Sequence, residues 1–475
     1  MRDTAIYGAA SLVVRGLSLL LLPFYTRVLS AEEYGLLDLA TIAITLVVLT
    51  VALEISQGVA RMFHEAADHD GQAAYASTAL WFSIGAYGLF VIIALPLAPQ
   101  VAAIAFESEA RADLARIVIV SAAISGVFNL LLSQLRWRLQ PMAYGAGSLI
   151  FALVSIGATL ALVLGAGLGV AGVVLGQLTG AVAGGAFCFI VARDLYRLRF
   201  DGAKLREMLR FSLPLVPSSI GVFVTLYIDR IAIKELMTVA DVGLFAIGFR
   251  VASMVSLLAL AVQMAVTPLV YAQHRDPGTP AAVGRVFAAF VGFALIVAVG
   301  LALFAREIVM VVSTPDFYAG AAVVPLLVPA LLLSAMYVFA PGLGIAKRSG
   351  TQALITLAGA VLNTILNFLM IPVWGIVGAA GATLISAALV FAAYMTVSQR
   401  LWFVPHAWGR LAAATAAVAA IGLVGLLLPL PSGLAILVKL GLVLVTIGVV
   451  VQLRLIDLRD VRAALGRLRE SRFVP

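Results

Sequence analysis

The sequence predicts an all-α polytopic membrane protein of about 14 transmembrane helices: two six-helix lobes in a parallel pseudo-twofold repeat, plus two C-terminal helices. Three observations predict it. Of the 475 residues, 63% are hydrophobic and 11% charged, with a mean hydropathy of +1.11. The apolar runs are about 20 residues long, enough to cross a bilayer as helices. They are too long and too continuous for barrel strands, which alternate over about ten residues. Finally, a set of landmarks recurs in the same order in both halves of the chain.

Taken in order, the predicted spans are Ala5–Leu29, Leu37–Gly58, Ala76–Ala98, Leu114–Leu135, Ala143–Leu164, Leu168–Ala192 and Phe211–Ile233. The second set is Val242–Val270, Ala281–Ala305, Ala321–Ala346, Thr351–Ile371, Ile376–Val397, Leu411–Leu430 and Leu434–Leu453. The first span carries Arg15, exceeds the length of a leader's apolar region and has no A-x-A-like site after it, so it reads as a retained helix. The one cysteine, Cys188, lies in an apolar run and reads as a space-filling thiol.

The net charge of +8 raises nucleic acid as a partner, but the positions of the charges argue for topology instead. Of the 31 Lys and Arg, 22 fall in the alternate connections and tail on one side, five on the other and four within spans. Basic connections favour the cytoplasm, so both termini are expected inside, and no nucleic-acid partner is expected.

The repeat rests on four matches. Tyr25-Thr26-Arg27 ends the first span and Ile228-Asp229-Arg230 the seventh. Glu33-Tyr34-Gly35-Leu36 opens the second and Asp241-Val242-Gly243-Leu244 the eighth. Arg136 follows the fourth and Lys347-Arg348 the tenth. Gly169-Val170-Ala171-Gly172 opens the sixth and Gly375-Ile376-Val377-Gly378 the twelfth, all at offsets of 203 to 211 residues. Six spans is an even number, so the halves share an orientation. The expected organisation is residues 1–200 as the N-terminal lobe, 201–405 as the second lobe, and 406–475 as two added helices with a basic tail.

Charge buried in hydrocarbon marks the candidate site. An Arg at a helix centre costs about 2.5–3.5 kcal/mol on insertion scales, so it persists only beside a partner or a wet cavity. In the first span Tyr7, Ser11, Arg15, Ser18 and Tyr25 form a polar stripe. In the second, Thr50, Glu54, Gln57 and Arg61 share a predicted face, where Glu54 either bridges Arg61 or takes a coupling proton. In the seventh, Ser218, Thr225 and Asp229 share a face and Arg230 adjoins them. In the eighth, Arg250 heads a polar side continued by Ser253, Ser256, Gln263 and Thr267. Arg15, Arg61, Arg230 and Arg250 together read as a basic ladder for an anion, because a planar guanidinium donates paired hydrogen bonds to phosphate. Glu54, Asp229, Gln57, Ser18 and Ser253 read as the coupling or cavity-lining polar groups. No catalytic or metal motif appears. His64, His69, His274 and His406 all lie in connections without metal spacing, and there is no Walker A loop.

The junction from Tyr25 to Gly35, with Arg27 and Glu33-Tyr34-Gly35, resembles the oligosaccharide flippase family of polysaccharide transporters. So do the second-span end with Gly58 and Arg61, the Asp229-Arg230 pair, and Asp241-Val242-Gly243-Leu244 leading to Arg250. Asn363, Asn367, Ile371-Pro372 and Trp374-Gly375-Ile376-Val377-Gly378-Ala379-Ala380 resemble it most. The family belongs to the multidrug, oligosaccharidyl-lipid and polysaccharide exporter superfamily. The resemblance implies a bacterial inner-membrane protein moving an undecaprenyl-diphosphate-linked oligosaccharide between leaflets by alternating access. It implies no enzymatic activity and no cofactor, with coupling to a proton or sodium gradient, and polysaccharide polymerase or export machinery as partners alongside the lipid-linked oligosaccharide and the bilayer. The alternatives are a lipid II flippase, a multidrug extruder of the same superfamily, and a membrane glycosyltransferase or glycan polymerase.

Overall fold

The computed structural model describes residues 21–66, 68–428 and 432–456, together with Gly16. Most of these residues are helical and none lies in a strand, and eleven of their helices are long and apolar enough to cross a membrane. The chain is therefore an all-α, multi-pass membrane protein. Helices α1 (Leu22–Val28), α2 (Ala31–Thr50), α3 (Ile55–Glu65), α4 (His69–Ala94), α5 (Ala112–Trp137), α6 (Pro141–Leu160), α7 (Gly169–Val191) and α8 (Gly202–Ser212) lead to α9 (Val216–Leu236) and α10 (Val239–Ser253). Then follow α11 (Val255–Gln273), α12 (Thr279–Leu303), α13 (Val324–Ala335), α14 (Ser349–Leu401), α15 (Trp408–Leu427) and α16 (Ser432–Gln452).

The second and eighth predicted spans differ in detail from the expectation, and the boundary between the eleventh and twelfth is a kink. The predicted eleventh and twelfth spans are two helices, labelled together as α14, that part at a kink at Gly375, where φ is 56° and ψ −140°. A residue with no Cβ takes that conformation without a clash, and Pro372 just before it removes a backbone donor. The predicted eighth span is divided at Met254 between α10 and α11. The second is broken between Thr50 and Ile55, with Leu53 and Glu54 in left-handed backbone at φ 52° and 53°. Most of the first, with Tyr7, Ser11, Arg15 and Ser18, lies outside the described residues.

The chain packs as two compact units, one up to Ala246 with Val312–Phe317, the other Ile247–Val311 and from Tyr318 onward. In the first, Val59, Leu135, Cys188, Leu195 and Met208 are fully buried in one apolar cluster. Cys188 is free and buried, with its sulfur against Gly147. On the polar rim several charged groups pair: His69 Nε2 lies 3.0 Å from Asp194, which Arg138 also grips, and Arg197 holds Asp70 at 2.9 Å. No group of three or more His, Cys, Asp or Glu gathers as a metal site among the described residues.

The repeat becomes a contact at one place in this unit. A Cβ on Gly35 would lie 2.0 Å from the Val239 carbonyl oxygen, and a Cβ on Gly243 would lie 2.0 Å from that of Ala31. Ala31 and Val239, like Gly35 and Gly243, are equivalent under the repeat. The first turns of α2 and α10 thus cross backbone to backbone in a reciprocal, locally twofold contact, which only small residues allow.

In the second unit α12, α15 and α16 close around Val299, Leu303 and Val418. Ser398 of α14 accepts a hydrogen bond from the Gly342 amide at 2.9 Å. Between α14 and α15, the His406 ring is wedged against Phe287 and Trp408, with centroids 4.7 and 4.9 Å away. Neither of its nitrogens has a hydrogen-bond partner. Burial therefore pushes the imidazole down from 6.5 to about 4.

Two outcomes are expected. Gly35→Ala and Gly243→Ala each lower stability by about 1–3 kcal/mol, the range for overpacking, read as a lower melting temperature of purified protein. Because the folded state resists protonating His406 until about pH 4 while the unfolded chain takes the proton near 6.5, its contribution is full above pH 6.5 and drains away as pH falls from there. His406→Phe should flatten the melting temperature between pH 7 and 4 relative to wild type.

Candidate functional site

Two breaks in otherwise apolar helices build the site in the first unit. Helix α2 starts at a capping box: the Ser30 hydroxyl accepts from the Glu33 amide at 3.2 Å, and the Glu33 carboxylate accepts from the Ser30 amide at 2.9 Å. It runs unbroken to Thr50, where the left-handed pair Leu53-Glu54 re-aims the chain into α3. The second break is the turn at Leu213–Leu215, where Pro214 and Pro217 separate α8 from α9.

Between α2, α3 and α9 lies a cavity of about 320 Å³, within the range of small-molecule sites. Its polar wall is Thr45 of α2, Gln57 of α3, and Ser218, Ser219 and Tyr227 from α9. Leu49, Leu215, Val222, Phe223 and Leu226 supply the apolar wall. None of the ten lining residues is charged.

Charge brackets the cavity instead. One helical turn past Gln57, Arg61 lays its guanidinium over the Phe211 ring, 4.7 Å from the centroid, and Phe211 is itself one turn before Leu215. Arg61 reaches Glu65 at 3.5 Å, and its side chain is 54% exposed. A pair so exposed contributes little to stability and leaves the guanidinium open to solvent. At the opposite end, one turn past Leu226 and Tyr227, Arg230 is 4% exposed. Its Nε lies 2.8 Å from Asp38 Oδ2 on α2, its Nη1 donates to the Leu226 carbonyl at 3.1 Å, and the rings of Tyr227 and Phe245 flank it.

The predicted residues therefore separate into distinct environments. Gln57 lines the cavity, and Arg61 lies one helical turn beyond it, outside the lining. Arg230 is engaged by Asp38, and Asp229 beside it is buried at 3% exposure. The expectation that Thr50, Glu54, Gln57 and Arg61 share one helical face is corrected. The left-handed break at Leu53-Glu54 turns Glu54 into a second, small pocket away from Gln57, and Arg61 pairs with Glu65 rather than Glu54. The predicted stripe on the seventh span also divides: Ser218 lines the cavity, while Thr225 is exposed and returns its hydroxyl to the Gly221 carbonyl at 2.9 Å. Arg250 and Ser253 belong to the second unit, Arg250 partly buried and its carbonyl accepting from the Ser253 hydroxyl at 2.7 Å. Arg15 and Ser18 lie outside the described residues. Sequence reasoning did not single out Asp38, although an acid one residue inside a predicted span was a readable signal. Thr45, Ser219 and Tyr227 gave none, since hydroxyls in spans are common.

Comparison with known proteins bears on the family and the fold. The profile of the family described as "Polysaccharide biosynthesis protein" matches residues 1–273. Over 204 residues the chain is 27% identical to a protein of Haloferax volcanii named "Probable low-salt glycan biosynthesis flippase Agl15". That match covers 42% of this chain and 43% of the relative, so it spans less than half of the curated relative's length. Among solved structures, the lipid II flippase MurJ in an inward closed conformation is 15% identical with a TM-score of 0.70, covering 93% of this chain and 98% of that one. An inward-facing multidrug resistance transporter of the MATE family, in the MOP superfamily, is 16% identical with a TM-score of 0.64, covering 82% and 95%. At these identities the likeness is one of fold.

The Asp38–Arg230 pair gives a sharp test. Removing one member of a buried pair strands the other charge, at about 3–5 kcal/mol. Asp38→Asn and Arg230→Gln should each cost that much, while the double variant should recover more than half of it. Equal and additive losses in a thermal-unfolding cycle would show that the two side chains do not interact.

Proposed function

The chain belongs to the polysaccharide biosynthesis protein family, and from that premise we propose that it is a flippase. Its cargo is an undecaprenyl-diphosphate-linked oligosaccharide, moved from the cytoplasmic to the outer leaflet of a bacterial inner membrane by alternating access. The observation that carries this reading is the cavity between α2, α3 and α9 with the Arg61 guanidinium, stacked on Phe211, one helical turn beyond its lining residue Gln57. Hydroxyl and amide groups beside the Tyr227 and Phe223 rings suit sugars, which offer hydroxyls on their edges and apolar CH faces. Arg61, solvent-open and stacked on Phe211, suits a diphosphate. The chain performs no covalent chemistry in this reading, and delivers its cargo to polymerase or export machinery on the far side. Both termini are cytoplasmic in this reading, which the bias of basic residues to one side supports.

Arg250 is a further candidate for binding an anion, and a cation gradient supplies the energy. An extruder of cationic drugs is disfavoured by the uncharged cavity, since it needs an acid where the cargo binds.

The test is transport of a lipid-linked oligosaccharide in proteoliposomes, with leaflet accumulation in a deletion strain beside it. Loss of the gene should leave the lipid-linked sugar on the cytoplasmic leaflet. Arg61→Ala should cut transport about tenfold, the size of one lost charge-assisted hydrogen bond, with Arg61→Lys between it and wild type. Normal transport by both Arg61→Ala and Arg250→Ala at normal expression refutes the diphosphate assignment.

A further inference from the structure

The connection between α7 and α8 is fixed in place yet turns its apolar side chains outward. Three side chains from the N-terminal half of α4 hold its backbone. The Ser77 hydroxyl donates to the Leu195 carbonyl at 2.7 Å and accepts from the Arg197 amide at 2.9 Å. The Thr78 hydroxyl accepts from the Asp201 amide at 3.1 Å, and Trp81 Nε1 donates to the Arg197 carbonyl at 2.9 Å. Asp201 then caps α8, accepting from the Ala203 and Lys204 amides at 3.0 and 3.2 Å. Within this anchored stretch Leu198 is 94% exposed and Phe200 56%. Exposed apolar groups on an ordered segment mark an interaction surface.

Position says what covers it. Ser77, Thr78 and Trp81 stand at the start of the predicted span Ala76–Ala98, and Ala192 ends the predicted span that precedes the connection. The segment thus lies at the level where the apolar helices leave the bilayer. Tyr196 stacks on Phe189 of α7, with ring centroids 5.2 Å apart, and Phe189 and Ile190 are themselves exposed. The aromatic surface of the connection therefore continues an exposed apolar helix face, as aromatic residues at a membrane boundary do.

Charge says which lipid. Residues 193–210 hold six Lys and Arg against three acids. Each acid is already engaged: Asp194 by Arg138 and His69, Asp201 at the cap of α8, and Glu207 by the Tyr75 hydroxyl at 2.6 Å. Arg197 has Asp70 as a partner. Arg199 is exposed and makes no hydrogen bond or ion pair with any described residue.

We propose that Arg197, Leu198, Arg199 and Phe200 form a docking surface for an anionic phospholipid of the cytoplasmic leaflet. Leu198 and Phe200 enter the acyl region, and Arg199 takes the headgroup phosphate. Arg197 is the weaker donor, because Asp70 already holds it. A soluble acidic partner would satisfy the arginines and leave the apolar pair in water. A zwitterionic lipid would cover the apolar pair and leave Arg199 without a net counter-charge. The surface lies outside the cavity and does not rest on the flippase reading. It reaches toward that cavity through α8, which starts at the Asp201 cap, packs its Met208 backbone on Gly58 and ends with Phe211 under Arg61.

The experiment places the purified full-length chain in vesicles of mixed phosphatidylcholine and phosphatidylglycerol, with one lipid or the other brominated on its acyl chains and no glycan present. Tryptophan quenching is read in wild type and in Trp81→Phe, and the difference is the Trp81 signal. Brominated phosphatidylglycerol should quench that signal about fivefold more effectively than brominated phosphatidylcholine at equal mole fraction, the factor for one arginine near an anionic surface. Arg199→Gln, eluting as wild type in size exclusion, should bring the ratio near parity. Arg199→Lys should keep it, and Arg197→Gln should lower it less. Salt at about 0.5 M should erode the wild-type ratio. Should Trp81→Phe not fold, total quenching of wild type against Arg199→Gln decides in the same way. Equal quenching by the two lipids in wild type overturns the proposal, as does an unchanged ratio in Arg199→Gln. A dimer in detergent that Leu198→Asp dissociates assigns the face to a second copy and overturns it too. An Arg199-dependent preference in a chain that flips no diphosphate-linked glycan upholds the lipid site while refuting the flippase reading.

Discussion

The ion pair between Asp38 and Arg230 is the constraint from which the site follows. An arginine buried this fully is costly without a counter-charge, and a lone aspartate opposite it is equally unwelcome. Pairing them ties α2 to α9 at a single height, a turn or two from the cavity. Near that height the Gly35–Gly243 crossing pins the first turn of α2 to α10. With one end of α2 held by charge and by close backbone packing, the freedom left to this span is at its other end, where it breaks.

The break at residues 51–54 is therefore the point at which the span becomes functional. Left-handed backbone at two consecutive non-glycine residues is strained, and such strain persists where surrounding structure enforces it. Here it is enforced by the dense packing of α3 on α8, where Gly58 meets the Met208 backbone, and by the entry of Glu54 between α4 and α5. The redirected chain presents Gln57 to the large cavity and Glu54 to the small one. A continuous helix would have aligned both on one side.

Electrostatics in this unit are graded. Its buried arginine is neutralised by an acid and shielded by aromatic rings, whereas Arg61, beyond the cavity lining, is solvent-open and only loosely paired. The two have the same chemistry and different availability. An anion approaching the cavity meets Arg61 without having to displace a strong partner. Arg230 performs a different task, holding two helices together through a charge that the membrane would otherwise expel.

The sequence by itself determined the class of molecule. Span length, composition and the asymmetry of basic residues leave no alternative to a helical membrane protein, because the bilayer demands helices of one length with saturated backbones. The repeat was also legible, and Gly35 with Gly243, matched through their motifs and place in the topology, proved to touch. Family resemblance was readable from short motifs spread along the chain. What the tertiary structure alone decided is which charge meets which. Helical periodicity placed Glu54, Gln57 and Arg61 on a common face, and two residues of left-handed backbone dispersed them. No local pattern encodes that break, since neither Gly nor Pro marks it. The partner of Arg230 lay 192 residues away on another span, and contacts between distant spans are set by packing, not by local sequence.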